Sequence, residues 1–236
     1  PNSRFPSTRI IYTKEGQVVS TVAEVPLMEN LPKGFMAVPS GRRSFRWRND
    51  QPASLVFVKA LDGGNPDSLV AFRDEVFQLE APFDERPRSM IKTQNRFSSI
   101  IWGDKNLAIA YDYWWNTRNK KTYLFNPALP DGGIDLLFDQ NYQDVYNDPG
   151  SFITRKNKLG QSVLALKGSR AYLKGDGFSD EGQFPFLDEI NLKSKTKKRL
   201  YQSEYKNKFE RFIDFDIEEN QLLVRLESPN DYPNYF

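Results

Sequence analysis

Short apolar stretches alternate with polar, turn-forming residues along the whole chain. The stretches run about 5–8 positions, are rich in β-branched and aromatic residues, and are bounded by Gly, Pro, Asn, Asp and Ser, which is typical of strands. No window of about twelve residues has the 3.6-residue periodicity of an amphipathic helix. The pattern predicts an all-β fold with strands at 9–13, 18–24, 44–48, 54–60, 75–80, 89–93, 97–102, 107–113, 121–126, 151–155, 162–167, 170–174, 186–191, 196–202, 210–217 and 221–226.

One pair of neighbouring strands recurs. A strand carrying Trp47, a polar turn ending in Asp50 and a second apolar strand are followed later by the same order around Trp102. A four-stranded unit that recurs at roughly 40–50 residues is typical of a β-propeller blade. The chain therefore holds about four or five blades' worth of four-stranded antiparallel sheets, fewer than the usual ring of six to eight. With no linker visible, residues 1–236 are predicted to be a single propeller fragment without a catalytic domain.

Composition excludes several kinds of chemistry. The 236 residues include no histidine and no cysteine, so the chain cannot build a Ser-His-Asp triad, a Cys-His pair or a zinc centre with His or Cys ligands. The 33 basic and 31 acidic residues nearly balance, which predicts no nucleic-acid partner. No apolar run approaches the roughly 18 residues that span a bilayer, so no membrane partner is expected.

The sequence contains no recognisable catalytic or phosphate-binding motif. Gly160-Gln-Ser-Val-Leu is the nearest approach to a G-x-S-x-G nucleophile elbow, and it lacks the second glycine. Asp62-Gly-Gly-Asn65 and Asp131-Gly-Gly133 are interpreted as ordinary turns. No catalytic residue, no metal ligand and no cofactor is predicted.

Two groups of acidic residues each have a functional and a structural interpretation. In a strand, Asp214, Asp216 and Glu218 would share a face and could form a glycosidase-type acid pair; a solvated strand face is favoured. Asp176, Asp180 and Glu181 flank glycines, but their spacing does not match an EF-hand loop, and a plain turn is favoured. The basic run Lys193–Arg199 is interpreted as a hairpin tip and a strand whose lysines keep an edge soluble.

The segment Tyr111-Asp-Tyr-Trp-Trp-Asn-Thr-Arg118 supplies the candidate binding residues. Adjacent residues of a strand point to opposite faces, so one of Trp114 and Trp115 is expected in the core and the other near a turn. An exposed tryptophan beside Arg118 could stack on a substrate or partner. The alternative is that both tryptophans pack between and beneath blades.

Several stretches together resemble a known family. They are Arg43-Ser-Phe-Arg-Trp-Arg-Asn-Asp-Gln-Pro-Ala-Ser-Leu55, Lys59-Ala-Leu-Asp-Gly-Gly-Asn-Pro66, Trp114-Trp-Asn-Thr-Arg118, Tyr142-Gln-Asp-Val-Tyr-Asn-Asp-Pro-Gly150, Gly175-Asp-Gly-Phe-Ser179 and Glu227-Ser-Pro-Asn-Asp-Tyr-Pro-Asn-Tyr235. In this order they are similar to the N-terminal β-propeller of prolyl oligopeptidase-family serine peptidases, in particular the glutamyl endopeptidase-like branch. The resemblance covers roughly residues 18–236.

The resemblance implies an internal segment of a longer, bacterial protein, in keeping with a first residue that is not Met. Its partners would be an α/β-hydrolase domain of the same polypeptide, which holds the catalytic Ser, Asp and His, and peptide substrates whose entry the propeller gates. The alternative is a free-standing propeller that binds a glycan or a protein through exposed aromatic residues. Because a partial ring exposes strand edges, the isolated fragment is also expected to self-associate.

Overall fold

The computed structural model describes residues 4–129 and 133–236, and this part of the chain is all-β. Within it, no helix has the length and apolar character needed to cross a membrane. Its strands are β1 (Ser7–Tyr12), β2 (Val18–Val25), β3 (Arg43–Trp47), β4 (Ser54–Ala60), β5 (Asp74–Glu80), β6 (Arg88–Thr93), β7 (Arg96–Asp104), β8 (Leu107–Trp114), β9 (Asn119–Phe125), β10 (Asp135–Asn141), β11 (Ser151–Phe152), β12 (Thr154–Lys156), β13 (Ser162–Leu164), β14 (Leu166–Lys167), β15 (Arg170–Gly175), β16 (Phe178–Ser179), β17 (Gly182–Gln183), β18 (Phe186–Asn191), β19 (Lys197–Gln202), β20 (Phe209–Asp216), β21 (Gln221–Ser228) and β22 (Asp231–Tyr235).

The chain divides into two compact units, Pro1–Asp139 and Gln140–Phe236. The first contains the β1-β2 hairpin and two four-stranded sheets, in the orders β3-β4-β5-β6 and β10-β9-β8-β7. In both sheets each strand lies beside the next one in sequence, which is the organisation of a propeller blade. The predicted all-β fold of four-stranded antiparallel sheets, the architecture of a β-propeller region, is confirmed.

Strand β4 shows how the first unit builds its core. All residues from Ser54 to Val58 are buried, because the strand is covered on both faces. Leu55 and Phe57 belong to a cluster with Val22 and Leu79, while Val56 and Val58 belong to a cluster with residues of β7, β8 and β9. Alternate side chains thus pack against different neighbours, as the two-residue period of a strand requires. Each large side chain buried in this way contributes about 1.5–3 kcal/mol.

The repeat detected around the two tryptophans corresponds to the first hairpin of each four-stranded sheet. Trp47 ends β3 and Trp102 lies in β7, but Trp47 is half-exposed while Trp102 is buried. Trp47 packs edge-on against Phe83 at 5.8 Å between ring centroids. Trp102 instead lies beneath the guanidinium of Arg48, 4.2 Å from it. The two copies share a position in the sheet but not an environment.

The second unit has a larger sheet in the order β11-β15-β18-β19, with β14 also pairing with β15, and a three-stranded sheet β20-β21-β22. Two short ribbons, β12-β13 and β16-β17, complete it. A core cluster that includes Tyr172, Leu187 and Phe215 joins the two sheets. The basic run forms the β18–β19 turn and the exposed start of β19, as predicted. The proposal of one fragment over residues 1–236 stays a prediction.

Candidate binding site

The three predicted binding residues lie at one turn of the first unit. Strand β8 ends at Trp114, residues 115–118 form a tight turn, and β9 begins at Asn119, which pairs with Trp114. The backbone N–H of Arg118 donates to the carbonyl of Trp115 at 3.2 Å, and an Arg118 guanidinium N–H donates to the same oxygen. Arg118 has a φ of 56°, so the turn holds this side chain in the left-handed region.

Trp115 and Arg118 form an exposed patch together with Phe35. The guanidinium of Arg118 lies 3.8 Å from the centroid of the Trp115 ring, and the Phe35 ring packs on Trp115 with centroids 4.5 Å apart. Phe35 is 71% exposed and Trp115 is 39% exposed. These three residues are called the aromatic patch below. A cation against an exposed aromatic surface can stack on a planar or apolar group of a ligand.

Trp114 has a different environment. It is half-buried, and its ring lies 3.9 Å from the guanidinium carbon of Arg73 and 6.0 Å from that of Arg96. The adjacent tryptophans therefore occupy different surroundings, one against buried arginines and one in the turn. Trp114 connects the turn to the charged interior of the unit.

That interior is a buried network of three arginines and two aspartates. Asp62 accepts hydrogen bonds from Arg73 at 3.0 Å and from Arg96 at 2.9 Å. Asp74 accepts from Arg96 at 3.1 Å and from Arg43 at 2.5 Å. Both aspartate side chains are fully buried. These five residues are called the arginine–aspartate network; since it holds one more arginine than aspartate, it retains one net positive charge.

Burial and charge act oppositely on the two aspartates. Burial disfavours ionisation of Asp62, but hydrogen bonds and charge from Arg96, with further donors at Gly64 and Arg73, outweigh it and hold its pKa below the ordinary value. For Asp74, burial outweighs the opposite effect of Arg43 and Arg96, and its pKa is raised. Burial likewise lowers the pKa of Arg43. The network thus shifts the pKa values of its two aspartates in opposite directions.

The network also positions the aromatic patch. Arg96 Nε donates to the carbonyl of Met36 at 2.9 Å, which fixes the residue next to Phe35. Nearby, Val38 donates to Gly64 at 3.1 Å, and a Cβ on Gly64 would lie 1.8 Å from the Val38 carbonyl. Only glycine allows this approach, and its φ of +80° suits glycine as well. The segment before β3 is therefore fastened beside the β8–β9 turn.

Sequence reasoning missed this network. The Asp62-Gly-Gly-Asn65 segment is a turn, as predicted, and Asp62 accepts from Gly64 at 2.9 Å. The same carboxylate, however, also binds Arg73 and Arg96, which lie 11 and 34 residues further along the chain. The available signal was the position of Asp74 and Arg96 at the beginnings of two apolar strands, where a charged side chain can turn into the space between sheets. The other predicted turn, at Asp131-Gly132, lies outside the described residues.

The acidic groups do not assemble into a site among the described residues. Asp214, Asp216 and Glu218 are all exposed, and Asp216 accepts the backbone N–H groups of Glu218 and Glu219 to close the β20–β21 turn. A bulge between Phe212 and Asp214 precedes this face, and over residues 214–218 exposed acidic residues alternate with buried apolar ones, as expected for a solvated strand face.

The second group of acidic residues lies in and beside the β16–β17 ribbon and consists of Asp176, Asp180 and Glu181. Glu181 is exposed and forms an ion pair with Lys206 at 2.7 Å. In residues 4–129 and 133–236, no three carboxylates converge to hold a metal ion.

Comparison with known proteins adds a family relationship. No protein-family model matches the chain. It is 31% identical to "Probable glutamyl endopeptidase, chloroplastic" of Oryza sativa subsp. japonica and, equally, to the protein of that name in Arabidopsis thaliana, each over 252 aligned residues. Both alignments take in 100% of this chain. The chain resembles glutamyl endopeptidases from end to end. The predicted resemblance is confirmed.

The alignments cover only part of each glutamyl endopeptidase. The chain spans about a quarter of their length, 27% of the rice protein and 26% of the Arabidopsis protein. Both named relatives are plant proteins, and a bacterial origin for this chain stays a prediction.

Among solved structures, the β-propeller domain of the Trilobed protease from Pyrococcus furiosus is similar over 98% of this chain and 64% of its own. Its TM-score is 0.48 and its sequence identity 9%.

Proposed function

We propose that this chain is a non-catalytic β-propeller region of a peptidase, which docks on a separate α/β-hydrolase domain and gates the access of peptides to it. One observation carries the proposal: the whole chain matches proteins named glutamyl endopeptidases, yet accounts for about a quarter of their length. The sequence supports it, because a chain without histidine and without a nucleophile elbow cannot form a Ser-His-Asp triad by itself.

The aromatic patch is the surface proposed to contact substrate or the hydrolase domain. It combines an exposed indole ring, a second exposed ring and a guanidinium within stacking distance. Such groups dominate the binding energy of many interfaces because they bury a large area at low entropic cost. The arginine–aspartate network holds Phe35 and the turn in place, so the patch is preorganised. Trp114 has a supporting position behind it.

The first test is to sequence the source gene downstream of the Phe236 codon. The proposal expects an open frame that encodes G-x-S-x-G, then Asp, then His. A stop codon directly after Phe236 would overturn the docking and gating role.

A second test uses the purified chain with a glutamate-containing, dye-labelled peptide. We expect no cleavage, binding that is measurable by fluorescence anisotropy, and about tenfold weaker binding by Trp115→Ala. Trp47→Ala removes an exposed indole outside the aromatic patch and should leave binding unchanged. Cleavage by the isolated chain would contradict the non-catalytic role.

An exposed tryptophan also favours a second candidate, a free-standing propeller that binds a glycan or a protein. The observation behind it is the open part of the Trp115 ring, since sugars and partner proteins both stack on such surfaces. This candidate expects a stop codon after Phe236 and a ligand from a glycan or protein screen whose binding is lost in Trp115→Ala.

A further inference from the structure

A cavity of about 320 Å³ lies in the second unit. Its walls come from the segment before β11, the end of β15, the approach to β18 and the first half of β20. The wall is tightly built: a Cβ on Gly150, whose φ is +89°, would lie 2.6 Å from the carbonyl of Lys174. The proposed gating role does not use this cavity, although the stretches at residues 142–150 and 175–179 supply part of its lining.

The lining of the cavity includes Glu210, whose buried carboxylate has one unpaired oxygen in the described part of the chain. Glu210 is 2% exposed, and its Oε1 accepts the hydroxyl of Tyr201 at 2.7 Å. Its Oε2 is buried and has no hydrogen-bond partner among the described residues. A buried acceptor without a donor costs roughly 1–3 kcal/mol, and more for a charged group. Glu210 therefore lacks one donor, and preferably a positively charged one.

The other charged residues of the cavity do not supply a donor to Oε2 of Glu210. Two cations line it, but each lies against an aromatic ring: Lys174 Nζ is 5.0 Å from the centroid of Phe212, and the Arg211 guanidinium is 5.6 Å from that of Phe209. No lysine or arginine of the described residues forms an ion pair with Glu210. Asp148 and Asp176 also line the cavity. With three carboxylates and two cations, the lining carries a net charge of −1.

We propose that this cavity binds a primary ammonium group, held by Oε2 of Glu210. A water could donate one hydrogen bond there but would leave the charge unbalanced, whereas an ammonium supplies both. An ammonium also fits better than a guanidinium, because Oε1 is already taken by Tyr201 and a guanidinium prefers to bind both oxygens of a carboxylate. The proposal is independent of the gating role.

Two sources present this chemistry: the α-amino group of a peptide and the side chain of lysine. Glycyl-glycyl-glycine amide with a free amino terminus represents the first, and its N-acetylated form is its control. Nα-acetyl-lysine methylamide represents the second, with Nα-acetyl-norleucine methylamide as the control of equal shape without charge. Each probe is titrated into the 236-residue chain at pH 7 and low salt, and amide chemical shifts of residues 174–176 and 209–212 are followed by NMR.

We expect at least one of the two ammonium probes to shift these amides saturably, while both uncharged controls do not. Which probe binds identifies the source. Glu210→Gln keeps an acceptor for Tyr201 but presents an amide to the cavity, and should weaken binding about tenfold or more. Asp176→Asn, an exposed change that should leave folding intact, should weaken it two- to threefold, about 0.4–0.7 kcal/mol. Glu181→Gln, outside the lining, is the matched control and should bind as the original chain does.

Three outcomes would overturn the proposal. The first is no saturable shift with either ammonium probe, which would mean that solvent alone satisfies Glu210. The second is equal binding of charged and uncharged probes. The third is unchanged affinity in a folded Glu210→Gln protein; if that variant fails to fold, unchanged affinity in Asp176→Asn decides against the proposal instead.

Discussion

The backbone N–H of Phe97 donates a hydrogen bond to the carboxylate of Asp74, at 2.8 Å. Asp74 begins β5 of one four-stranded sheet, and Phe97 lies at the start of β7 in the next. A single buried side chain therefore joins two sheets through the backbone of the second. The same carboxylate also binds Arg43 and Arg96. Asp74 therefore accepts one hydrogen bond from an uncharged backbone group and others from charged guanidinium groups.

Asp74→Asn should destabilise the chain by about 3–5 kcal/mol. The substitution removes the charge that offsets Arg43 and Arg96 and leaves three arginines with one aspartate in a buried space. The measurement is the free energy of unfolding in urea. Asp84→Asn makes the same change at an exposed position and should stay within about 0.5 kcal/mol. Equal stability of the two variants would show that the network contributes nothing to folding.

Phe57→Ala should cost about 3–5 kcal/mol. Phe57 is 1% exposed and stacks with Phe45 at 5.5 Å and Phe77 at 5.4 Å between ring centroids, so truncation leaves a cavity in the centre of β4. The midpoint of thermal unfolding reports the loss. Leu69→Ala is the control, because Leu69 is 99% exposed and has little packing to lose. A small effect at Phe57 would contradict the packing described for β4.

Two glycines separate the cost of backbone conformation from the cost of crowding. Gly16→Ala meets open space, so its φ of +84° alone should cost about 1–2 kcal/mol. Gly64→Ala has a similar φ but also collides with the carbonyl of Val38, and should cost about 3 kcal/mol or more. Urea unfolding of both variants measures the difference. Equal losses would mean that Val38 and the segment before β3 move aside freely.

Acid should affect two aspartates of the first unit in opposite directions. Hydrogen bonds from Lys121 and Asn119 hold the pKa of Asp139 below its ordinary value of 3.8. Its unfolded state therefore binds the proton first, and the stability that Asp139 provides is lost as the pH falls through and below this range. Burial raises the pKa of Asp112 despite donors at Asn95 and Tyr123, so its contribution is largest below pH 4 and falls as the pH rises.

The matching measurement is urea unfolding of the original chain, Asp139→Asn and Asp112→Asn between pH 3 and pH 7. The stability difference between the original chain and Asp139→Asn should be larger at pH 7 than at pH 3. For Asp112→Asn it should be larger at pH 3 than at pH 7. Parallel curves for both variants would contradict the assigned directions of the pKa shifts.

The isolated chain should self-associate weakly. Among the strands of the described residues, β22 pairs with β21 alone, and Tyr232, Tyr235 and Phe236 are 92%, 63% and 66% exposed. An open edge of this kind recruits other strands, although Pro233 within β22 removes one donor and limits the contact. Light scattering should show a mass that rises with concentration, and Tyr235→Lys should lower it. A strict monomer at high concentration would contradict this expectation.

Most strands could be predicted from local sequence because their apolar and polar side chains alternate between the two faces of the same strand. The strands predicted at 54–60 and 186–191 agree with β4 and β18 to the residue. Two strands whose sequences lack a clear alternation were missed, although each pairs with the strand that precedes it in sequence. Strand β10 has a charged, poorly alternating sequence and is held to β9 by contacts of Asp139 with Lys121 and Asn119. Strand β22 contains a proline, which is tolerated because the strand lies at an edge.

The candidate site was predicted only in part, because some of its contacts join residues that are far apart in sequence. The Trp114-Trp115-Arg118 segment is local and was found from its composition. Phe35 contacts Trp115 from a segment that Arg96 holds through the carbonyl of Met36, a contact between residues 60 positions apart in sequence. The breaks in the predicted strands at Ile153 and Ala165 likewise reflect a bond from Ile153 to Tyr172 of β15 and one from Ala165 to Ile153, which alternation along one strand does not reveal.

The bond from Arg96 to Met36 has a consequence for synthesis on the ribosome. The segment between β2 and β3 emerges long before the arginine that fastens it, and at 5–20 residues per second the interval is about 3–12 seconds. Throughout that interval the nascent chain exposes Phe35 and Met36 without their partners. A chaperone that binds short apolar segments meets its target there, and ribosome profiling of chaperone-bound nascent chains should show occupancy that ends once Arg96 has left the exit tunnel.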